Sequence, residues 1–178
     1  MSRSLTMMFG VVAGIVVGLI IAIFVVKCFN KDGKFKTQYD EKQELTRGKG
    51  FKYALYTTLA YEAIMCILSI GDINLPLDNF SLHFLAIFIG IVVFETYCIF
   101  NDAFIGLNTN GKRYAIVCVF IAIINFLSAI AGFVQNSKAG TNIVPSTFAN
   151  LMVGIMFLLV GIEFVIKLII DKKKGEEV

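Results

Sequence analysis

The chain is poor in the residues on which catalysis most often depends. His83 is its only histidine, which leaves neither a His-based triad nor a His-rich metal cluster enough parts. No H-E-x-x-H, phosphate-binding loop or dinucleotide-binding glycine pattern occurs. Serines and aspartates are present without a base partner, so the expectation is a protein that is not an enzyme, with no metal and no cofactor. The four cysteines (Cys28, Cys66, Cys98 and Cys118) lack C-x-x-C spacing and lie in or beside apolar runs. There they read as small apolar residues rather than disulfide partners. A long polar stretch is also missing, because only residues 27–52 resemble anything soluble.

What the chain does have is apolar sequence. Hydrophobic residues make up 57% of its 178 positions. A spanning helix needs about 20 mostly apolar residues to cross the hydrocarbon layer. Five windows qualify: Leu5–Val26, Tyr53–Ile70, Leu82–Leu107, Tyr114–Gln135 and Thr147–Ile170. None alternates in polarity as a membrane β-strand would. The first run is too long for a usual signal-peptide core and has no A-x-A-like site after it, so it reads as a retained span. The prediction is an all-α polytopic membrane protein, one membrane domain over residues 1–178 with a bundle of five transmembrane helices.

Positive charge is unevenly placed. Of sixteen Lys and Arg, eight lie between Lys27 and Lys52, two are Lys112 and Arg113, and four are Lys167, Lys172, Lys173 and Lys174. Only Arg3 and Lys138 fall on the other side. Basic residues in short loops stay on the cytoplasmic face, which predicts the N-terminus outside and the C-terminus inside. Because these residues sit at helix ends, the partner they imply is a bilayer with anionic headgroups on its inner face, not nucleic acid.

Within 27–52, Asp32-Gly33 marks a turn. Thr37 is the expected cap of a short surface helix reaching Glu44 or Leu45, with Asp40 and Glu41 in its first turn and Gly48 and Gly50 ending it. The first span has Gly10, Gly14, Gly18 and Ala22, one small residue every fourth position. This glycine-zipper spacing lets another backbone come close, whether from the other four helices or from a copy of the chain.

Ionisable residues inside the spans are the main functional signal, since charge at depth is costly and usually faces protein or water. Glu62 and Glu95 are expected near the middle of their spans, about 13–18 Å deep at the helical rise, and Glu163 about 10 Å deep. Asp102, seven residues after Glu95, would share its face. Lys167 follows Glu163 at the spacing of an i,i+4 ion pair. Asn125 shares a small-residue stripe with Cys118, Ala122, Ser128, Ala129 and Gly132. Two readings follow. Glu62 and Glu95 serve a proton or cation pathway, or protonated carboxyls hold the bundle through hydrogen bonds to groups such as Asn125 or Thr58.

The run Tyr39-Asp40-Glu41-Lys42-Gln43, followed by Arg47-Gly48-Lys49, resembles a Y-D-E-x-Q…R-G-K element. That element stands just before a span in a group of small multi-span membrane proteins of low-GC Gram-positive bacteria. The resemblance implies a bacterial plasma membrane, as does a composition rich in Phe, Ile, Lys and Asn with no Trp and two Pro. It also implies that this juxtamembrane segment is more than a linker, and it brings no activity with it. The leading expectation is an accessory or regulatory subunit that contacts a membrane-protein partner through residues 31–52. The alternative is a small proton- or cation-coupled transporter.

Overall fold

The structure, a computed structural model, describes residues 3–73, 75–139 and 144–176, apart from the side chains of 3–8, 10–11, 139, 168 and 173–176. Five α-helices follow one another: α1 (Arg3–Phe29), α2 (Glu41–Ile70), α3 (Asn79–Phe100), α4 (Gly111–Ala139) and α5 (Pro145–Glu176). No strand occurs among the described residues, and all five helices are long and apolar enough to cross a membrane.

The chain forms two compact units. One comprises residues 1–39 and 105–114, the other residues 40–104 and 115–178.

In the first unit, α1 runs into two segments that pair as a polar knot. Asn30 and Thr109 form an isolated antiparallel bridge. The Asn110 amide donates to Phe29 O at 2.8 Å, and the Leu107 amide to Gln38 O at 2.8 Å. Asn108 holds the centre. Its Nδ2 donates to Asp32 and to Lys36 O, while its Oδ1 accepts from the Gln38 amide at 2.8 Å. Asn30 is equally engaged, donating to Lys34 O and accepting from the Thr109 hydroxyl. These side chains are buried and satisfied, as buried polar groups must be. The turn expected at Asp32-Gly33 is present, with Gly33 at φ +64°. The Lys34 amide, and after it the Asn108 side chain, hold the Asp32 carboxyl below its ordinary 3.8.

The second unit is built around α3, which packs on both α2 and α5. Its buried apolar residues are mostly small: Ala86, Cys98, Ala103, Cys118, Ala122 and Ala129. Small residues let helices approach closely where lipid supplies no hydrophobic drive. A Cβ at Gly90 would strike the Thr58 hydroxyl, and one at Gly132 the Thr147 hydroxyl. Gly154 faces the Phe126 ring, which pins α4 to α5. The outward side chains are large and apolar, among them Leu59, Ile67, Phe120 and Ile130, the composition of a lipid-facing surface.

Three boundaries differ from expectation. There is no separate surface helix from Thr37. α2 starts at Glu41 and continues through Gly48 and Gly50, because Asp40 is its N-cap in a full capping box with Gln43. Gly50 does not end a helix but is buried against Cys98 and Phe94. α3 stops at Phe100 rather than near Leu107, because Asn101 caps it and Asp102 turns to φ +57°. That conformation is one a short polar side chain tolerates.

Candidate functional site

The second unit carries its polar side chains in three groups along α3. The first lies where α2 begins. The Asp40 carboxylate accepts from the Gln43 amide at 2.7 Å, and Gln43 Oε1 accepts from the Asp40 amide at 3.3 Å. Gln43 Nε2 then donates to Asp102 O at 2.8 Å, and Arg47 to Ala103 O at 3.2 Å. The Arg47 guanidinium also lies 5.1 Å from the centre of the Phe94 ring. Three residues of the Y-D-E-x-Q…R-G-K element, Asp40, Gln43 and Arg47, therefore form a clamp. It caps α2 and ties it to the turn that ends α3. Tyr39 precedes the clamp, whereas Glu41, Gly48 and Lys49 face out.

At the same end, Lys167 of α5 lies 3.2 Å from Asp102 and 2.9 Å from Asp171. The expected Glu163–Lys167 pair is not formed. The positive-φ turn aims Asp102 at Lys167, and Glu163 takes another partner. Nor does Asp102 share a helical face with Glu95, because it lies beyond the end of α3.

The second group sits one to two turns further along α3. The Thr96 hydroxyl donates to Glu163 Oε1 at 2.5 Å. Beside it Glu95 keeps one carboxyl oxygen buried without a hydrogen-bond partner, with Glu163 as its neighbouring carboxyl. α3 and α5 thus bring two intramembrane carboxyls together.

The third group lies at the opposite end of the α2–α3 hairpin. Glu62 Oε1 is 3.2 Å from His83 Nδ1, and the Tyr61 hydroxyl donates to Leu82 O at 3.2 Å. Glu62 is eight residues from the end of α2, not at mid-helix, because α2 gained its extra turns at the other end. His83 and Glu95 are twelve residues apart on α3, about 18 Å along its axis. Glu62 and Glu95 therefore belong to different sites. Asn125 joins neither carboxyl, since its Nδ2 donates to Ile121 O in its own helix at 2.9 Å. Thr58 donates to Ala86 O at 3.5 Å.

Asp78 caps α3 at this end. The Ser81 hydroxyl, and then the Ser81 amide, hold its carboxyl below the ordinary 3.8.

On α1, a Cβ added at Gly14 or Gly18 would meet nothing within 4 Å, and Ala22 is exposed. Gly10 lies outside the residues whose packing is described. Among the described residues no group of three His, Cys, Asp or Glu could hold a metal ion.

Sequence reasoning missed Thr96, His83 and the Asn30–Asn108 knot. His83 was the findable one, because an antiparallel α2–α3 hairpin places its start level with the end of α2. No family model, curated protein or solved structure matches the chain.

Proposed function

We propose that the protein is a non-enzymatic accessory or regulatory subunit that acts by docking another membrane protein at the juxtamembrane start of α2. One observation carries this reading. The first three turns of α2 are clamped on one face by Gln43, Arg47 and Gly50, while the other face is open. That open face presents Glu41, Glu44, Leu45, Gly48, Lys49 and Lys52, all exposed, with Leu45 at 65%. A rigid helix with an exposed leucine between charges suits specific recognition, since little ordering is lost on binding. The clamp changes which residues bear on a partner. Asp40, Gln43 and Arg47 position the platform, whereas Glu41, Leu45 and Lys49 touch what docks there.

The reading places the chain in a bacterial plasma membrane, N-terminus outside, with this platform in the cytoplasm facing anionic headgroups. The Y-D-E-x-Q…R-G-K resemblance and the count of basic residues support that placement. A cysteine at Lys42 then resists an impermeant thiol reagent in intact cells while one at Asp72 reacts. Labelling in the reverse order removes the orientation.

The test of docking is co-purification in mild detergent. Leu45→Glu with Lys49→Glu releases a stoichiometric membrane-protein partner without lowering thermal stability. A chain that purifies alone before and after the change refutes the reading.

A second reading, a proton- or cation-coupled transporter, is favoured by the unpartnered Glu95 oxygen beside Glu163. It requires Glu95→Gln to abolish pH-driven flux in proteoliposomes. Flux equal to that of the parent protein rejects it.

A further inference from the structure

The Glu62–His83 end of the hairpin encloses space as well as charge. The last turns of α2, the turn after it and the start of α3 surround a half-open cavity of about 670 Å³. That volume falls within the usual range for small-molecule sites. Its walls mix apolar side chains, Met65 and Leu82 among them, with polar ones, and its ionisable lining is Glu62, Asp72 and His83. Glu62 is a third exposed, so its carboxylate can be reached from the cavity.

Apart from His83, the charged side chains of the hairpin at this end are carboxylates. No Lys or Arg occurs anywhere from residue 53 to residue 111, so the basic side chain this hairpin offers its carboxylates is His83, 3.2 Å from Glu62. Asp72 lines the cavity with no lysine or arginine of its own hairpin to neutralise it. The α2 C-terminus brings its partial negative charge to the same place. The opposing positive pole, the N-terminus of α3, is already capped by Asp78. A chamber that combines apolar side chains with two carboxylates in its lining selects for size and for positive charge together.

We propose that this cavity is a binding site for organic cations with an apolar body, the charge held by Glu62 and Asp72 and the body by the apolar side chains of the walls. It is a different site from the docking platform on α2 and does not depend on that platform's role.

The probe is tetraphenylphosphonium, with tetraphenylborate as a counterpart of like shape and opposite charge, measured by equilibrium dialysis against the purified full chain in detergent. The cation binds saturably and the anion does not. Glu62→Gln and Asp72→Asn each weaken the cation by about tenfold, as expected for loss of one charge-assisted contact. Asn keeps the shape of Asp and is among the side chains that tolerate the positive φ of Asp72, so this variant decides the matter should Glu62→Gln fail to fold. A second measurement needs no change in the cavity. Cys66 lines it, and in a Cys28→Ser background, where Cys98 and Cys118 are buried, the cation slows alkylation of Cys66 by N-ethylmaleimide. Equal uptake of both ions, unchanged affinity in the folded variants, or Cys66 alkylation indifferent to the cation overturns the proposal.

Discussion

Both ends of the α2–α3 hairpin carry charged side chains, many at the Glu41 end and few at the Ile70 end, and they use them in opposite ways. At the Glu41 end the polar groups are consumed by the backbone. Asp40 and Gln43 cap α2, and Gln43 and Arg47 reach the carbonyls of Asp102 and Ala103 left free where α3 ends. At the Ile70 end the helices separate into a cavity, and Glu62 pairs with a histidine that is 68% exposed. A helix terminus must satisfy its orphan carbonyls, and Arg and Gln have the length and the donors to do so. At the Ile70 end the amides of Gly71, Asp72 and Ile73 meet those carbonyls from within the turn itself, so no α3 side chain is drawn across to cap them there. Closure at one end gives a rigid platform, and openness at the other gives a chamber.

The comparison breaks most easily at the packing that joins the ends. Gly90→Leu forces a side chain into Thr58 and the Ala54 carbonyl. The expected loss is about 1–3 kcal/mol, the range for overpacking, read as thermal unfolding in detergent. Unchanged stability would mean that α2 and α3 are not in close contact there.

Next comes the closed end. Arg47→Ala removes the donor to Ala103 O and the cation over Phe94, at a cost of about 1–2 kcal/mol for a charge-assisted hydrogen bond on a half-buried group. Glu62→Gln at the open end costs less than about 1 kcal/mol, because its pair with His83 is largely solvated. Denaturation midpoints of the two variants in the same detergent compare the ends directly. A larger loss for Glu62→Gln reverses the assignment of which end is clamped.

Acid sharpens the contrast. The Asp78 carboxyl is depressed in the folded protein, so its capping contribution is present above the ordinary 3.8 and is lost as pH falls through the lower folded value. Amide exchange at Ser81 and Leu82 accelerates in that window, and Asp78→Asn removes the pH dependence. Exchange indifferent to pH in the parent protein counts against the cap.

The smallest effect is expected away from the hairpin. Gly14→Leu enters open space and leaves the stability of the purified protein unchanged, whereas any loss reveals a helix packed on that face.

Long apolar runs determined by themselves that the chain is helical, with five helices long and apolar enough to span a membrane. In lipid only a helix or a closed barrel satisfies the backbone, and these runs lack the alternating polarity of barrel strands. The Asp32-Gly33 turn was equally legible, since glycine supplies its positive φ at no cost. The intramembrane carboxyls could be listed from sequence, but their partners could not. Periodicity places a residue on a face without saying what opposes it, and Lys167 looked like a partner of Glu163 until Asp102 left the helix. The Y-D-E-x-Q…R-G-K element was visible as a pattern, yet its work as a cap and clamp depends on carbonyls some sixty residues away. Only the tertiary structure decided that Glu62 meets His83 rather than Glu95, because the register of an antiparallel pair is set by where close-packed residues such as Gly50 and Gly90 let the helices touch. That contact is a property of two surfaces together, which neither segment carries alone.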